Sequence, residues 1–222
     1  MSLAGRVENP KPQPIPIRSG GFGGVDGFRD YLKREKITHV VDATHPFAAQ
    51  MSHNAVEACD LASVPLIALA RAPWVAQEGD NWTNAADVMD ASAKLAQPAR
   101  RVLLAIGRMH LRAFAINPQH FYLLRLVDAP TFDLPFSNCK TIVDRGPFGL
   151  DNDVALLRDN GIDLVVSKNS GGTGARAKID AARQLGIEVM MIHRPDMPAR
   201  NEVHSADGVM DWLANHPADL GV

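Results

Sequence analysis

The sequence has few cysteines, few aromatic residues and no strong excess of charge of either sign. Its two cysteines, Cys59 and Cys139, lie far apart and do not form a CxxC pair among the 222 residues. This spacing argues against a disulfide framework or a structural zinc site, and it favours a reducing compartment. The formal net charge of -2 and the lack of a basic block argue against a general nucleic-acid binder.

Long apolar runs are also missing from the sequence. No stretch reaches the roughly 18 apolar residues that span a bilayer. The N-terminus has neither the basic start nor the apolar middle of a signal peptide. We therefore expect a cytoplasmic protein without a membrane segment. Hydrophobic residues still make up 46% of the chain, mainly alanine, valine and leucine, which is typical of helices packed on a parallel sheet.

Short β-branched runs alternate with longer helical patterns, which predicts an α/β fold with parallel sheets. A first series of strands ends near Ala70 and a second starts near Arg101, so we expect two Rossmann-like lobes. The polar junction between them predicts domains at residues 1–97 and 98–222. Because the opening stretch MSLAGRV resembles the end of an interior strand, we expect the first strand and helix of the N-terminal lobe to be missing.

Loops that follow the predicted strands are the candidate ligand sites, because open parallel sheets bind ligands at the carboxyl ends of their strands. The loop SGGFGGVDG does not match GxGxxG, since Asp26 stands at the third glycine. Tight turns that need positive φ explain this loop as well as a ligand does. In ATHPFAAQ, His45 ends a strand and is either a structural hydrogen-bonding group or a functional one. His45 and His53 are not spaced as metal ligands, so we expect no metal site.

The loop SKNSGGTGARAK carries the strongest signal for a ligand. It is not a Walker loop, because no Gly-Lys pair occurs in it. Side-chain donors and permissive glycines would instead form a cradle for a phosphate or a carboxylate, and these residues are Lys168, Asn169, Ser170, Gly171 and Gly172. A plain helix cap would need only Ser170 or Thr173, so the surplus of donors favours a ligand.

The motifs SLAGR, GGFGGVDG, VDATHPFAAQMS, LARAPW and SKNSGGTGARAKIDAARQLGIEVMMIHRP occur in this order along nearly the whole chain. With them the sequence closely resembles the precorrin-6A and cobalt-precorrin-6A reductase family of cobalamin biosynthesis. The resemblance implies two Rossmann-like lobes that bind NADPH in the cleft between them and reduce a carbon–carbon double bond of a corrin precursor. Family members usually begin with a strand and a GGTxEA-like loop ahead of SLAGR, which this sequence lacks.

The resemblance also implies roles for individual residues. The expected cofactor-binding residues are Gly5, Arg6, Ser19, Gly20, Gly21, Phe22, Thr44, His45, Pro46, Phe47, Lys168, Asn169, Ser170, Gly171 and Gly172. Among them, Arg6 would pair with the 2′-phosphate that distinguishes NADPH from NADH. His45 and Lys168 are the expected catalytic residues, as proton donors directly or through water. The nitrogens of the substrate or bulk solvent would serve equally well.

The expected substrate-binding residues are Arg71, Trp74, Arg108 and Arg145. A corrin precursor carries many carboxylates, which arginines bind well, and a flat macrocycle, against which an indole packs. The alternative is that the arginines are ordinary surface residues and that Trp74 belongs to a core. Both a cobalt-containing and a metal-free substrate are compatible with these motifs.

Three functions follow from these patterns. The first is an NADPH-dependent reductase of a tetrapyrrole, with transient contacts to methyltransferases of the same pathway. The second is a non-catalytic module that holds a corrin intermediate, if the lack of the first strand and helix abolishes cofactor binding. The third is a phosphate-binding transferase built on the SKNSGG loop, for which the sequence shows no evident nucleophile or metal cluster.

Overall fold

The computed structural model describes residues 1–5 and 12–217. The chain forms two compact units, one of Met1–Ala72 with Pro195–Val222 and the other of Pro73–Arg194. All strand pairs in the described part of the chain are parallel. The predicted α/β class with parallel sheets is therefore confirmed.

The described secondary structure alternates between strands and helices along most of the chain. In chain order the elements are β1 (Ser2–Leu3), β2 (Arg18–Ser19), α1 (Gly24–Arg34), β3 (Val40–Asp42), α2 (Ala49–Ala62), β4 (Leu66–Leu69), β5 (Trp82–Ala85), α3 (Val88–Lys94), β6 (Arg101–Ala105), a 3-10 helix (Arg108–Phe114), β7 (Phe121–Leu126), β8 (Cys139–Val143), α4 (Leu150–Asp159), β9 (Leu164–Lys168), α5 (Ala177–Leu185), β10 (Glu188–Ile192), β11 (Glu202–Val203) and α6 (Ala206–Asn215).

The first unit contains a two-stranded sheet of β1 and β2 and a three-stranded sheet with the order β11-β4-β3. Helices α1 and α2 pack on each other through a small core of Phe28, Leu32, Ala55, Ala58 and Cys59. The four-residue spacing of Phe28 and Leu32 places both side chains on one face of α1. Burial of that face fixes α1, and with it the glycine-rich loop that leads into the helix.

The second unit is built on a six-stranded sheet with the order β8-β7-β6-β9-β10-β5. Strand β9 is buried along its whole length, as expected for a strand covered on both faces. From β6 the chain adds β7 and β8 on one side, and it then adds β9 and β10 on the other. In doubly wound sheets of this kind, ligands bind at the carboxyl ends of the strands where the order reverses.

Two edge strands come from unexpected parts of the chain. Strand β5 pairs with β10, with Trp82 opposite Val189, and therefore belongs to the second unit. Strand β11 follows the whole second unit but pairs with β4 of the first, with Glu202 opposite Ala68. The compact units thus differ from the domains expected at 1–97 and 98–222. The difference arises because sheet-edge pairing depends on strands that are distant in the chain, which local composition does not reveal.

Within residues 1–5 and 12–217, no helix is long and apolar enough to cross a membrane. The same residues contain no group of three or more His, Cys, Asp or Glu side chains that could hold a metal ion. Cys59 and Cys139 are both free thiols.

The absence of a side chain at Gly27 is a steric requirement of the first unit. A Cβ at this position in α1 would stand 1.9 Å from the Phe22 carbonyl oxygen, so Gly27→Ala must displace the loop that enters the helix. We expect Gly27→Ala to lower the free energy of unfolding by about 1–3 kcal/mol, as overpacked substitutions do. Urea denaturation measures the loss.

Gly21→Ala is the matched control for this prediction. A Cβ at Gly21 would meet nothing within 4 Å, and its φ is not positive. We therefore expect a near-normal unfolding free energy for this variant. Equal losses of stability in the two variants would contradict the steric explanation.

Candidate functional site

The turns after β1 and β2 lie side by side in the first unit. The Gly20 N–H donates a hydrogen bond to the Leu3 carbonyl at 2.9 Å. A Cβ on Gly5 would stand 3.4 Å from the Gly20 nitrogen and 3.8 Å from the Ser19 hydroxyl. The structure thus brings together Gly5, Ser19 and Gly20, which the sequence assigned to cofactor binding. Arg6, assigned to the same role, lies outside the described residues.

The glycine-rich loop after β2 has open space beside its backbone. A Cβ at Gly20, Gly21, Gly23 or Gly24 would meet no atom within 4 Å. Gly20, Gly23 and Gly24 also have positive φ, so turn geometry alone already favours glycine at these three positions. Gly21 does not have positive φ, and the open space beside it is the feature that fits the close approach of a ligand.

Arg18 organises this loop and was not singled out from the sequence. Its guanidinium donates to the carbonyls of Gly20 and Gly21 at 3.0 and 2.8 Å. The same group lies 4.1 Å from the centroid of the Phe22 ring, and Phe22 stacks on Phe28 at 3.9 Å. Phe22, one of the expected cofactor-binding residues, is thus held in place by a cation and a second ring. In the sequence, Arg18 is marked by its position in a short strand just ahead of Ser19 and the glycines.

A buried carboxylate, Asp42, organises the loop after β3. Its Oδ1 accepts a hydrogen bond from the Thr44 N–H at 3.0 Å. Its Oδ2 accepts from the Ser52 hydroxyl at 2.6 Å and from Arg200 Nη1 at 2.5 Å. The side chains of Asp42 and Arg200 are 2% and 8% exposed, so water screens this ion pair very little. With three donors around it, Asp42 holds the start of the Thr44–Phe47 turn in one place.

His45 is exposed in this turn, whereas Pro46 is buried. The His45 Nδ1 accepts a hydrogen bond from the Phe47 N–H at 3.1 Å, so the neutral ring carries its proton on Nε2. Helix α2 begins only at Ala49, and Pro46 therefore precedes the helix instead of occupying its first turn. The turn presents an imidazole whose tautomer is set by the backbone.

In the second unit the loops after β6 and β9 lie side by side where the strand order reverses. The two strands pair in parallel, with Ala105 opposite Ser167. The residues that follow, Gly107 and Arg108 after β6 and those after Lys168, therefore share one edge of the sheet. A Cβ on Gly107 would meet nothing within 4 Å. We call Gly107, Arg108 and residues 168–172 the second-unit edge.

Asn169 ties the second-unit edge to Trp74. Its Oδ1 accepts from the Trp74 N–H at 2.7 Å, and its Nδ2 donates to the Trp74 carbonyl at 2.9 Å. The Trp74 indole N–H donates to the Gly172 carbonyl at 2.7 Å. Trp74 is only 5% exposed and belongs to the core, the alternative that the sequence left open. Both polar side-chain atoms of Asn169 thus bind the protein itself, and the indole has almost no exposed face for a macrocycle.

Residues 169–176 form a loop ahead of α5, which begins at Ala177. No side chain caps this helix, so neither Ser170 nor Thr173 acts as a helix cap. Gly171 and Gly172 have φ values of 66° and 71°, which explains why glycine occupies both positions. Lys168 ends β9 with 8% of its surface exposed.

The arginines expected to bind substrate have different surroundings. Arg71 in the first unit and Arg108 at the second-unit edge are both exposed. Arg145 forms an ion pair with Asp128 and donates from Nε to the Val127 carbonyl at 3.3 Å. This pairing links the loops after β7 and β8. Arg108 follows β6 and Lys168 ends the neighbouring strand β9, so both lie at the same edge of the sheet.

Arg194, which follows β10, is a further residue that the sequence analysis missed. It donates from Nε to the Asn169 carbonyl at 2.9 Å and so supports the loop after the neighbouring strand β9. Arg18, Asp42 and Arg194 share one signal in the sequence. Each is a charged residue in a strand or within two residues of its end, where the carboxyl ends of parallel strands meet.

The fold and these loops define the class of the protein. It is a doubly wound α/β protein with parallel sheets and glycine-containing loops at the carboxyl ends of its strands. The family model described as precorrin-6x reductase CbiJ/CobK matches residues 1–214. The chain belongs to this family of reductases, so the class narrows to an oxidoreductase.

Named relatives and a solved structure agree with this assignment. The precorrin-6A reductase of Rhodobacter capsulatus is 55% identical over 217 residues, which cover 98% of this chain and 86% of that protein. A solved structure of CobK precorrin-6A reductase matches with a TM-score of 0.94 and 55% identity, over 100% of this chain and 88% of that one. The cobalt-precorrin-6A reductase of Priestia megaterium is 30% identical over 84% of this chain and 76% of that protein.

The Asp42–Arg200 pair leads to a prediction about stability. Arg200→Ala leaves the Asp42 carboxylate buried without its cation, and we expect it to cost about 3–5 kcal/mol of unfolding free energy, the usual cost of breaking a buried pair. Chemical denaturation of the purified variant measures this cost.

Arg158→Ala is the control, because Arg158 pairs with Asp159 and their side chains are 65% and 63% exposed. We expect this variant to lose less than about 1 kcal/mol, as is usual for exposed pairs. Similar losses for the two arginine variants would show that the Asp42 pair is not shielded as the structure indicates.

Proposed function

We propose that the protein is a precorrin-6A reductase, which uses NADPH to reduce one carbon–carbon double bond of precorrin-6A in cobalamin biosynthesis. The observation that carries this proposal is the 55% identity to the Rhodobacter capsulatus precorrin-6A reductase over 98% of the chain. The parallel sheets with open glycine loops at strand ends support it, because dinucleotide-binding enzymes use this architecture.

The same comparison favours a metal-free substrate. The relative named for the cobalt-containing substrate is 30% identical, well below the 55% of the relative named for precorrin-6A. Precorrin-6A is therefore the substrate that we propose, with cobalt-precorrin-6A as the comparison substrate in the assay.

The first-unit loops fit the proposed cofactor. NADPH supplies the hydride when it is bound. Gly5, Ser19, Gly20 and Gly21 would hold it, because no side chain crowds Gly20 or Gly21 and a phosphate could approach the backbone at Gly21. Arg6 would contribute a guanidinium to the 2′-phosphate, an interaction that an acidic residue would prevent.

Side chains in the loops at the strand ends are the groups that we propose for substrate binding and for protonation. Arg108 and Lys168 place two positive side chains on one sheet edge, which suits the carboxylates of a tetrapyrrole or the phosphates of the cofactor. Gly171 and Gly172 allow the backbone of the same edge to turn toward such a group. His45, exposed in its turn, is the proton donor that we propose, since hydride addition to a double bond leaves a site that must be protonated. It would act as the imidazolium, whose formation replaces the hydrogen bond that Nδ1 accepts from the Phe47 N–H.

The location and partners of the protein form part of the same proposal. The free thiols of Cys59 and Cys139 agree with a reducing cytoplasmic location. We also propose transient contacts with methyltransferases of the same pathway.

Turnover with precorrin-6A tests the proposed function directly. Under anaerobic conditions we expect NADPH consumption and a product that is heavier by two hydrogen atoms, with lower rates for NADH and for cobalt-precorrin-6A. Arg6→Ala should raise the KM for NADPH by about tenfold to a hundredfold, the cost of a lost charge-assisted pair.

NADH is the matched control, since it lacks the 2′-phosphate and its KM should not respond to Arg6→Ala. Absence of turnover with either nucleotide would contradict the proposed function. Equal effects of Arg6→Ala on both nucleotides would contradict only the role of Arg6.

The proton-donor role of His45 has a separate test. We expect His45→Ala to lower kcat by about a hundredfold or more, as loss of a general acid does, with a smaller effect on KM. A kcat equal to that of the unmodified protein would mean that solvent or the nitrogens of the substrate supply the proton.

A further inference from the structure

A buried group of charges in the second unit has no part in the proposed reaction. Arg125 of β7 pairs with Asp153 of α4 through contacts of 2.5 and 3.2 Å, and their side chains are 6% and 3% exposed. Lys178 of α5 is 6% exposed and interacts electrostatically with both of them. The group contains two cations and one anion, so one positive charge lacks a full counter-charge when Lys178 is protonated.

Lys178 also contacts the loop of residues 169–176. Its Nζ donates a hydrogen bond to the Ala175 carbonyl at 2.6 Å. The same atom lies 4.9 Å from the centroid of the Trp74 ring, which is within the range of a cation–π interaction. Trp74 in turn binds Asn169 and Gly172 by three hydrogen bonds. The loop is therefore held at Asn169 and Gly172 through Trp74 and at Ala175 through Lys178.

A lysine at this position is costly to bury. Burial and the nearby Arg125 lower the pKa of Lys178 to about 7, while Asp153 opposes this shift. An apolar side chain would fill the space without that cost. The ammonium group interacts favourably with Asp153, with the Ala175 carbonyl and with the Trp74 ring. The last two belong to the contacts that hold the loop.

We propose that Lys178 is a positioning residue, which sets the conformation of residues 169–176 and thereby the affinity of the second-unit edge for an anionic group of the ligand. The inference rests on the proposed function for the identity of that group, a carboxylate of the tetrapyrrole or a phosphate of the cofactor. Lys178 acts through Ala175 and Trp74. Because the ammonium form interacts more strongly with a carbonyl and with a ring than the neutral amine does, the loop loosens as Lys178 loses its proton.

The first experiment compares Lys178→Met with Gln184→Met, a substitution at an exposed position on the same helix. We expect Lys178→Met to raise the KM for the anionic ligand by about tenfold while kcat changes much less. The rise of that KM between about pH 6 and 8 should also disappear, because this interval brackets the pKa of Lys178, about 7. Gln184→Met should behave like the unmodified protein.

The two substrates distinguish the source of the anionic group. A higher KM for precorrin-6A alone assigns the edge to a tetrapyrrole carboxylate, and a higher KM for NADPH alone assigns it to a phosphate. If Lys178→Met leaves both KM values and their pH profiles unchanged, the positioning role is overturned. Turnover by the unmodified protein in the same assay tests the proposed function, so the two failures are distinguishable.

A second experiment needs neither ligand nor turnover. Trp82→Phe with Trp212→Phe leaves Trp74 as the remaining tryptophan of the three in the chain. We expect its emission to change with a midpoint near pH 7, and Lys178→Met to remove the change. Amide exchange in residues 169–176, corrected for its intrinsic pH dependence, should accelerate above the same midpoint. Emission and exchange that do not depend on pH would overturn the inference, even if Lys178→Met failed to fold.

The unfolding free energy provides a further readout, and its contribution from Lys178 changes with pH in the opposite direction to the order of the loop. Since the folded-state pKa of Lys178 is lowered from 10.5 to about 7, the unfolded chain binds more protons between these values. The contribution of Lys178 to the unfolding free energy therefore rises with pH across this window, even as the loop loosens. Lys178→Met should abolish that rise and Gln184→Met should retain it. Identical slopes for the two variants would count against the buried ammonium group on which the inference depends.

Discussion

The second unit depends on the parallel pairing of β6 with β9. With Ala105 opposite Ser167, the carboxyl ends of the two strands meet, and the loops that follow them must share one edge of the sheet. A shift of one residue would turn the buried side chains of β9 to the opposite face and would separate Gly107 from the loop after Lys168. Strand order and register therefore set the position of the candidate site in this unit. The chemistry of the loops acts on residues that the sheet has already brought to one edge.

Buried charge holds the loops of both units. Asp42 and Arg200 fix the turn that carries His45, while Lys178, next to the Arg125–Asp153 pair, supports the loop after β9. Buried ion pairs add little net stability compared with apolar packing, but they are expensive to break. Their effect is to favour one geometry. This explains how the glycine-containing loop after β9, which by itself would sample many conformations, is held in a single arrangement.

Much of the fold followed from local sequence patterns. Strands β3, β4, β6, β7, β9 and β10 coincide with apolar runs, and the glycine loops lie where these runs end. Strand β5 reads WTNA and has no apolar run, so its place in the six-stranded sheet could not be predicted. The pairing partners of β5 and β11 could not be predicted either, since both strands pair with strands that are distant in the chain. The compact units differ from the predicted domains for the same reason.

The sequence by itself determined the family, the α/β class and the positions of the glycine loops, because motifs and hydrophobic periodicity are local properties. Only the tertiary structure decided what the polar side chains contact. Asn169 appeared to be a ligand donor but binds Trp74, and Arg200 neutralises a carboxylate 158 residues away in the chain. Lys178, to which the sequence analysis gave no role, lies buried beside Trp74. Hydrogen bonds and ion pairs depend on which groups meet in space, and the spacing of residues along the chain does not encode such meetings.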